Sequence, residues 1–290
     1  MNKEFDFLNI ISNTLDNSSF LGDDCAYLKN YKLAISKDCL IEDVHFSLKY
    51  MNTYEIAKKA LLVNISDILA SGAKPKYALI GLSGKLDNDF IKNFYLGINE
   101  IAKKFKLEII GGDLTSGDKI SISVTILGDY KNRKISSRKN AKKDYVLAVV
   151  GEFGSSANGL FELQQGKKES YFISYHKEPK LYPKISSKIA KTVKKPYAMM
   201  DSSDGLIDCL YQISTKSNVK IEIDYNLIPK KTTNKNFVLS GGEDYALVVA
   251  LDKSDFKKIP NLIQIGSCKS GKGIFVDGKE IKYNSFQHFN

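Results

Sequence analysis

Apolar and polar side chains alternate without interruption over 119–127 (KISISVTIL), which is the two-residue period of a strand with one buried face. Shorter apolar runs predict strands at 31–36, 76–83, 107–110, 145–150, 219–224 and 245–250. Apolar spacing of helical period predicts helices at 53–71, 88–105, 155–165, 183–192 and 205–215. Strands and helices interleave along the chain, so the class is α/β or α+β. The stretch 129–144 is lysine-rich and without periodicity, and it is the expected domain junction.

The helix expected at 53–71 departs from the amphipathic pattern. Asn52 with Glu55 forms a capping-box signature at its start, and Gly72 and Pro75 follow its end. From Ile56 to Ala70 most positions are apolar on every face, which predicts a buried helix. Yet Asn64 and Asp67 sit three residues apart on one face of it. A buried carboxylate must be paired or bound to metal. A buried hydrogen-bond network and a metal or catalytic role are both open for this pair.

The chain has 290 residues and a formal charge of +10, with 43 basic residues against 33 acidic ones. Only Arg133 and Arg138 are arginine. Nucleic-acid readers favour the planar guanidinium fork, and the lysines here are spread evenly as a solvated surface. Neither a nucleic-acid nor a membrane partner is expected, and no apolar run approaches a membrane span. Cys25, Cys39, Cys209 and Cys268 show no C-x-x-C spacing, and the acidic N-terminus does not resemble a signal peptide. A cytoplasmic, reducing location is expected.

Six segments place an acid beside Gly, Ser or Asn: Gly22-Asp23-Asp24, Ser36-Lys37-Asp38, Asn64-Ile65-Ser66-Asp67, Gly111-Gly112-Asp113, Asp201-Ser202-Ser203-Asp204-Gly205 and Gly241-Gly242-Glu243-Asp244. Each alone reads as a turn or a cap. Taken together they suggest carboxylates gathered at strand ends, where ligand sites of open α/β sheets form. Asp38 and Asp113 are both expected just past a strand. Oxygen donors without His or Cys clusters point to Mg²⁺, and the glycines would let backbone N–H groups approach phosphate. Neither a P-loop nor an H-R-D motif occurs, so a Mg-nucleotide site of another kind is implied.

In order and spacing these segments resemble the thiamine-monophosphate kinase family, within the aminoimidazole ribonucleotide synthetase-like superfamily. The resemblance covers about 20–290. It is most specific in Lys59-Ala-Leu-Leu-Val-Asn-Ile-Ser-Asp67 with Ser71-Gly-Ala73, and in Leu239-Ser-Gly-Gly-Glu-Asp-Tyr245. It extends to Val44-His-Phe46 and to the end, Phe286-Gln-His-Phe289. It implies a two-domain fold: an N-terminal ATP- and Mg-binding α/β domain over 1–135, whose mixed sheet pairs in a homodimer, and a C-terminal α+β domain over 136–290. It implies direct in-line transfer of the ATP γ-phosphate to thiamine monophosphate, giving thiamine diphosphate, with several Mg²⁺ ions and no protein residue acting as acid or base.

Carried over by position, the metal residues would be Asp24, Ser36, Lys37, Asp38, Asp67, Asp113, Asp201 and Asp204. Lys37 stands where the family commonly has threonine, and its ammonium cannot ligate Mg²⁺, so any contact there is through the backbone. ATP contacts would be Tyr95, Gly112, Asp113, Arg138 and Ser203; acceptor contacts would be His45, Glu243 and Tyr283. Leu114 replaces a usual threonine, and Tyr283 a frequent tryptophan. Two other readings stand beside this one. Another ATP-dependent enzyme of the superfamily is the first, although the N-terminal reactive Cys of selenophosphate synthetases is missing before Gly22. A non-catalytic, lysine-rich nucleic-acid-binding protein is the second.

Overall fold

The computed structural model describes residues 3–16 and 22–283. After helix α1 (Lys3–Thr14), a first sheet is built from β1 (Ala26–Leu28), β2 (Leu33–Ile41), β3 (Lys74–Gly84), β4 (Glu108–Ser116) and β5 (Ser121–Asp129), in the order β1-β2-β5-β3-β4. Only β3 and β4 run parallel; the other neighbours are antiparallel. Helices α2 (Thr53–Ala70) and α3 (Asn88–Phe105) cover one face. The strict alternation of β5 is the mark of that arrangement: Ile122, Val124 and Ile126 are buried under the helices, while Ser121, Ser123 and Thr125 face the other way.

Helix α2 forms as its ends predict. Asn52 Oδ1 accepts from Glu55 N, and Glu55 Oε2 accepts from Asn52 N, both at 2.9 Å. Gly72 adopts φ +84° just past the helix, where a side chain would be strained and would strike Tyr197. Between these ends nearly every residue is buried, Lys59 and Asn64 included.

The second half of the chain forms a seven-stranded sheet. Its strands are β6 (Val146–Val150), β7 (Ala198–Asp201), β8 (Lys220–Ile223), β9 (Leu247–Leu251), β10 (Ile263–Lys269), β11 (Ile274–Val276) and β12 (Lys279–Glu280), in the order β12-β11-β8-β10-β6-β9-β7. Helices α4 (Ser155–Gln164), α5 (Tyr171–Lys177), α6 (Pro183–Thr192), α7 (Leu206–Ser217), α8 (Lys235–Ser240) and α9 (Lys253–Phe256) surround it. Central strands β6 and β9 are buried on both faces. One core lies under α7 and α8, and another under α6. The link over 130–145 is threaded between the halves: Ser136 Oγ lies 2.7 Å from the Ala70 carbonyl and 3.2 Å from that of Met199.

Two expectations about strand ends are corrected. Asp38 lies inside β2, not beyond it, and Asp113 lies inside β4, which continues through Gly111 and Gly112 to Ser116. The reason is pairing. Gly112 crosses β3 so closely that a Cβ there would sit 1.9 Å from the Ile80 carbonyl oxygen, so the glycine keeps the strand in register.

Candidate active site

A cleft of about 670 Å³ opens between the two sheets. Asp23, Asp24, Ser36, Asp38, His45, Asp67, Arg138, Ser203, Asp204 and Glu243 are among the residues that line it. A larger groove of about 1130 Å³, lined by Phe105, Tyr182 and Arg133, contains none of the motif acids.

Carboxylate oxygens of Asp24, Asp67 and Asp201 lie within 4.8 Å of one another. Each arrives from a different element: the Gly22-Asp23-Asp24 turn, the last turn of α2, and the end of β7. Ser36 Oγ donates to Asp67 Oδ2 at 2.5 Å from the helix-facing side of β2. Asp38 lies on that side too, and burial raises its carboxyl above the ordinary range. Asn64 fixes the strand beneath them, accepting from Asp38 N at 3.0 Å and donating to the Ala60 carbonyl. Of the α2 pair, Asn64 ties the helix to β2, and Asp67 joins the acid cluster.

The electrostatics of this cluster are unfavourable as they stand. Burial, followed by the charges of Asp38, Asp201 and Asp24, lifts the Asp67 carboxyl well above its ordinary range. Burial and Asp24 push Asp201 up to about 7. Burial raises Asp24 too, although Arg138 Nη2 bonds its Oδ1 at 2.7 Å and opposes the rise. Asp201 Oδ2 is buried without a hydrogen-bond partner. Converging oxygen donors, one of them orphaned, are the donor set of a hard divalent cation, and Mg²⁺ fits them.

Arg138 is presented by the Asp23 carboxylate, which accepts from Ser137 Oγ at 2.6 Å and from Arg138 N at 3.0 Å. At the opposite end of the cleft, His45 Nδ1 accepts from Ile41 N at 3.0 Å, so the ring proton sits on Nε2. Glu243 is held in a left-handed conformation, φ +65°, with its N–H on the Ser203 carbonyl at 2.6 Å. Tyr245 repeats this, with φ +52° and its N–H on Ser202. The Gly-Gly-Glu-Asp-Tyr segment is thereby clamped to the Asp-Ser-Ser-Asp-Gly segment. Asp244 turns away and holds the start of α4, accepting from Gly154 N and Ser156 N at 2.5 and 2.9 Å.

Tyr95, Gly112, Asp113 and Tyr283 are not among the residues that line the cleft, and Lys37 lines it while turning its side chain away. Lys37 projects from the helix-free face of β2, where Nζ bonds Ser123 Oγ at 2.7 Å. Tyr95 packs edge-on against Phe94 on α3, with ring centroids 5.5 Å apart. Gly112 and Asp113 are on β4, the exposed edge of the first sheet. Asp38, Val124, Ile80 and Gly112 pair in sequence across four strands, so β4 stands roughly 14 Å from β2. Tyr283 packs at a tilt against Tyr211 of α7, centroids 4.4 Å apart, and donates to Asp208 Oδ1 at 3.0 Å. The terminal Phe286–Phe289 motif lies outside the described residues.

Two residues without an expected role stand behind Glu243. Lys59 Nζ is 3.0 Å from each of its carboxylate oxygens, and His176 Nδ1 is 3.4 Å from Oε2. A lysine inside the apolar run of α2 was a readable signal for the first; His176 had none.

Fold and cleft together define an aminoimidazole ribonucleotide synthetase-like protein, and the family model "AIR synthase related protein, N-terminal domain" matches residues 22–130. The thiamine-monophosphate kinase of Aquifex aeolicus is 32% identical over 308 residues, spanning 99% of this chain and 98% of its own. That of Bacillus subtilis is 37% identical over 278 residues, spanning 88% and 85%. A solved structure described as AaThiL complexed with AMPPCP and TMP superposes with a TM-score of 0.90 at 31% identity, covering 99% of this chain and 97% of that one. The chain belongs to the thiamine-monophosphate kinase family.

Proposed function

We propose that this protein transfers the γ-phosphate of ATP to thiamine monophosphate, forming thiamine diphosphate, in the cleft between the two sheets. The observation that carries the reading is the convergence of Asp24, Asp67 and Asp201 at one end of a cleft that has Glu243 and His45 along it. Both reactants are phosphates, so charge repulsion is the main barrier. Asp24, Asp67 and Asp201 would hold Mg²⁺, with Ser36, Asp38 and Asp204 beside them; bound there, the ions supply charge neutralisation and a template for in-line transfer. The acceptor oxygen is already ionised near neutral pH, so no side chain need act as a base. Arg138 and Ser203 would contact ATP. Glu243 and His45 would orient the ring end of the acceptor, and Tyr283 would reach it only on leaving Asp208.

We also read the protein as a homodimer, with 1–135 and 136–290 as its working halves. The helix-free face and edge of the first sheet expose Tyr77, Leu79, Ile110 and Leu114, an apolar surface that a second copy of the same sheet would cover. In that arrangement Asp113, Gly112 and Tyr95 serve the cleft of the other copy. Four free cysteines agree with a reducing cytoplasm. Among the described residues, no helix is long and apolar enough to cross a membrane.

Purified protein incubated with ATP, Mg²⁺ and thiamine monophosphate should yield thiamine diphosphate and ADP in equal amounts by mass spectrometry. ATP consumption with another acceptor, and none with thiamine monophosphate, would refute the substrate while leaving the fold intact.

A further inference from the structure

Lys59 opens the most specific motif of the chain, yet neither the metal end nor the ATP end of the cleft uses it. Its side chain is completely buried, 0% exposed, in the middle of α2. A buried ammonium is expensive unless it is paired, and an apolar pair of the same size would be at least as stable. Packing alone therefore does not account for a lysine at this position.

Its geometry does. Nζ lies 3.0 Å from both Oε1 and Oε2 of Glu243, with the His45 carbonyl at 3.4 Å. Lys59 belongs to the first half of the chain and Glu243 to the second, so the pair spans the cleft's base. His176 of α5 stands beside Oε2 at 3.4 Å, and its Nδ1 lies 3.0 Å from Ser156 Oγ. Burial, then the nearby Lys59 charge, drops the His176 ring to about 3, so it is neutral and adds no competing cation. Glu243 keeps 26% of its side chain exposed, all that remains after Lys59 and His176 cover its back. A carboxylate has about four lone-pair directions, and the clamp takes two of them. Glu243 itself lines the cleft, so the others are left to a bound molecule.

From this we infer that Lys59 is a positioning residue: it holds the Glu243 carboxylate ionised and aimed, so that its free lone pairs meet N–H donors on the ring end of the phosphate acceptor. The inference rests on the reading that Glu243 contacts the acceptor. Its chemical consequence is selectivity for an acceptor carrying a protonated or amino-bearing heterocycle, with no effect on ATP.

The test is a double-mutant cycle of Lys59→Met and Glu243→Gln, with KM measured separately for thiamine monophosphate and Mg-ATP. Lys59→Met should raise KM for thiamine monophosphate about tenfold or more, and leave KM for ATP within about twofold. In the Glu243→Gln background, Lys59→Met should change neither value further, because Lys59 acts only through the carboxylate. The double variant should also melt closer to the unmutated protein than Glu243→Gln does, since that single change strands a buried ammonium. If Lys59→Met alone does not fold, the comparison of Glu243→Gln with the double variant decides. Equal KM for the acceptor in these two supports the inference, and a further rise in the double variant overturns it. A folded Lys59→Met with unchanged KM for the acceptor, or equal rises for both substrates, also overturns it. If Glu243→Gln itself leaves KM for the acceptor untouched, the assignment of Glu243 falls, and the inference with it.

Discussion

Asp67→Asn is expected to lower turnover by at least about a thousandfold while making the metal-free protein more heat-stable. The two effects have one cause. Burial, then the charges of Asp38, Asp201 and Asp24, lifts the Asp67 carboxyl well above its ordinary range, so at neutral pH this group costs the metal-free fold stability. Asparagine keeps the volume and can still accept the Ser36 hydroxyl that now bonds Oδ2 at 2.5 Å, but it removes a carboxyl whose ionised form the fold disfavours. On the proposed reading the site loses a metal ligand, while the fold loses a source of instability.

The pH dependence follows the same logic. The Asp201 carboxyl has an ordinary pKa of 3.8 and is pushed up to about 7 in the fold. Because the folded value is the higher one, this group's contribution to stability is complete below 3.8 and is lost as pH rises through 7. Added Mg²⁺ should therefore raise the melting temperature more at pH 8 than at pH 6, and Asp67→Asn should blunt that difference. Calorimetry across this range, with and without Mg²⁺, checks both statements. A variant that melts lower than the parent without metal would contradict the account.

Mixing two dead variants should restore activity. Asp113→Asn is expected to abolish turnover without unfolding the protein, since Asp113 is exposed on an edge strand and pairs only through its backbone. Asp67→Asn is dead for the reason above. If the cleft takes Asp113 from the second copy, a mixed dimer contains one cleft with both changes and one with neither. Random reassociation would then recover roughly a quarter of the parental activity, half the molecules being mixed and half their clefts intact. Recovery is measured after co-refolding or co-expression, with size-exclusion and light scattering reporting the dimer. No recovery from a folded, dimeric mixture would place Asp113 in the service of its own chain.

Much of the fold was legible because two periods dominate it. The alternation over 119–127 identified β5, and the all-round apolar run with its capping box identified α2, to within two residues of their ends. The acid motifs were legible as a set, but their secondary structure was not. Gly-Gly-Asp and Ser-Lys-Asp read as turns by composition. Pairing with β3 and β5 keeps them extended, which no local signal in a single strand reveals. Lys37 shows the same limit from the other side: the period of two sends it to the face opposite Asp38, and only the observed register says which face holds the site. Tyr95, Gly112 and Asp113 could be named from motifs, whereas their distance from the acid cluster depends on strand order.

Helix α2 also acts as a ruler. Lys59, beside Glu243, and Asp67, in the acid cluster, are eight residues apart on one buried helix, which separates them by about 12 Å along its axis. On the proposed reading, a single helix of fixed pitch measures both ends of the acceptor. Length becomes a criterion of selection alongside charge and ring chemistry: a molecule whose phosphate lies nearer to its ring, or further from it, has no second register to occupy.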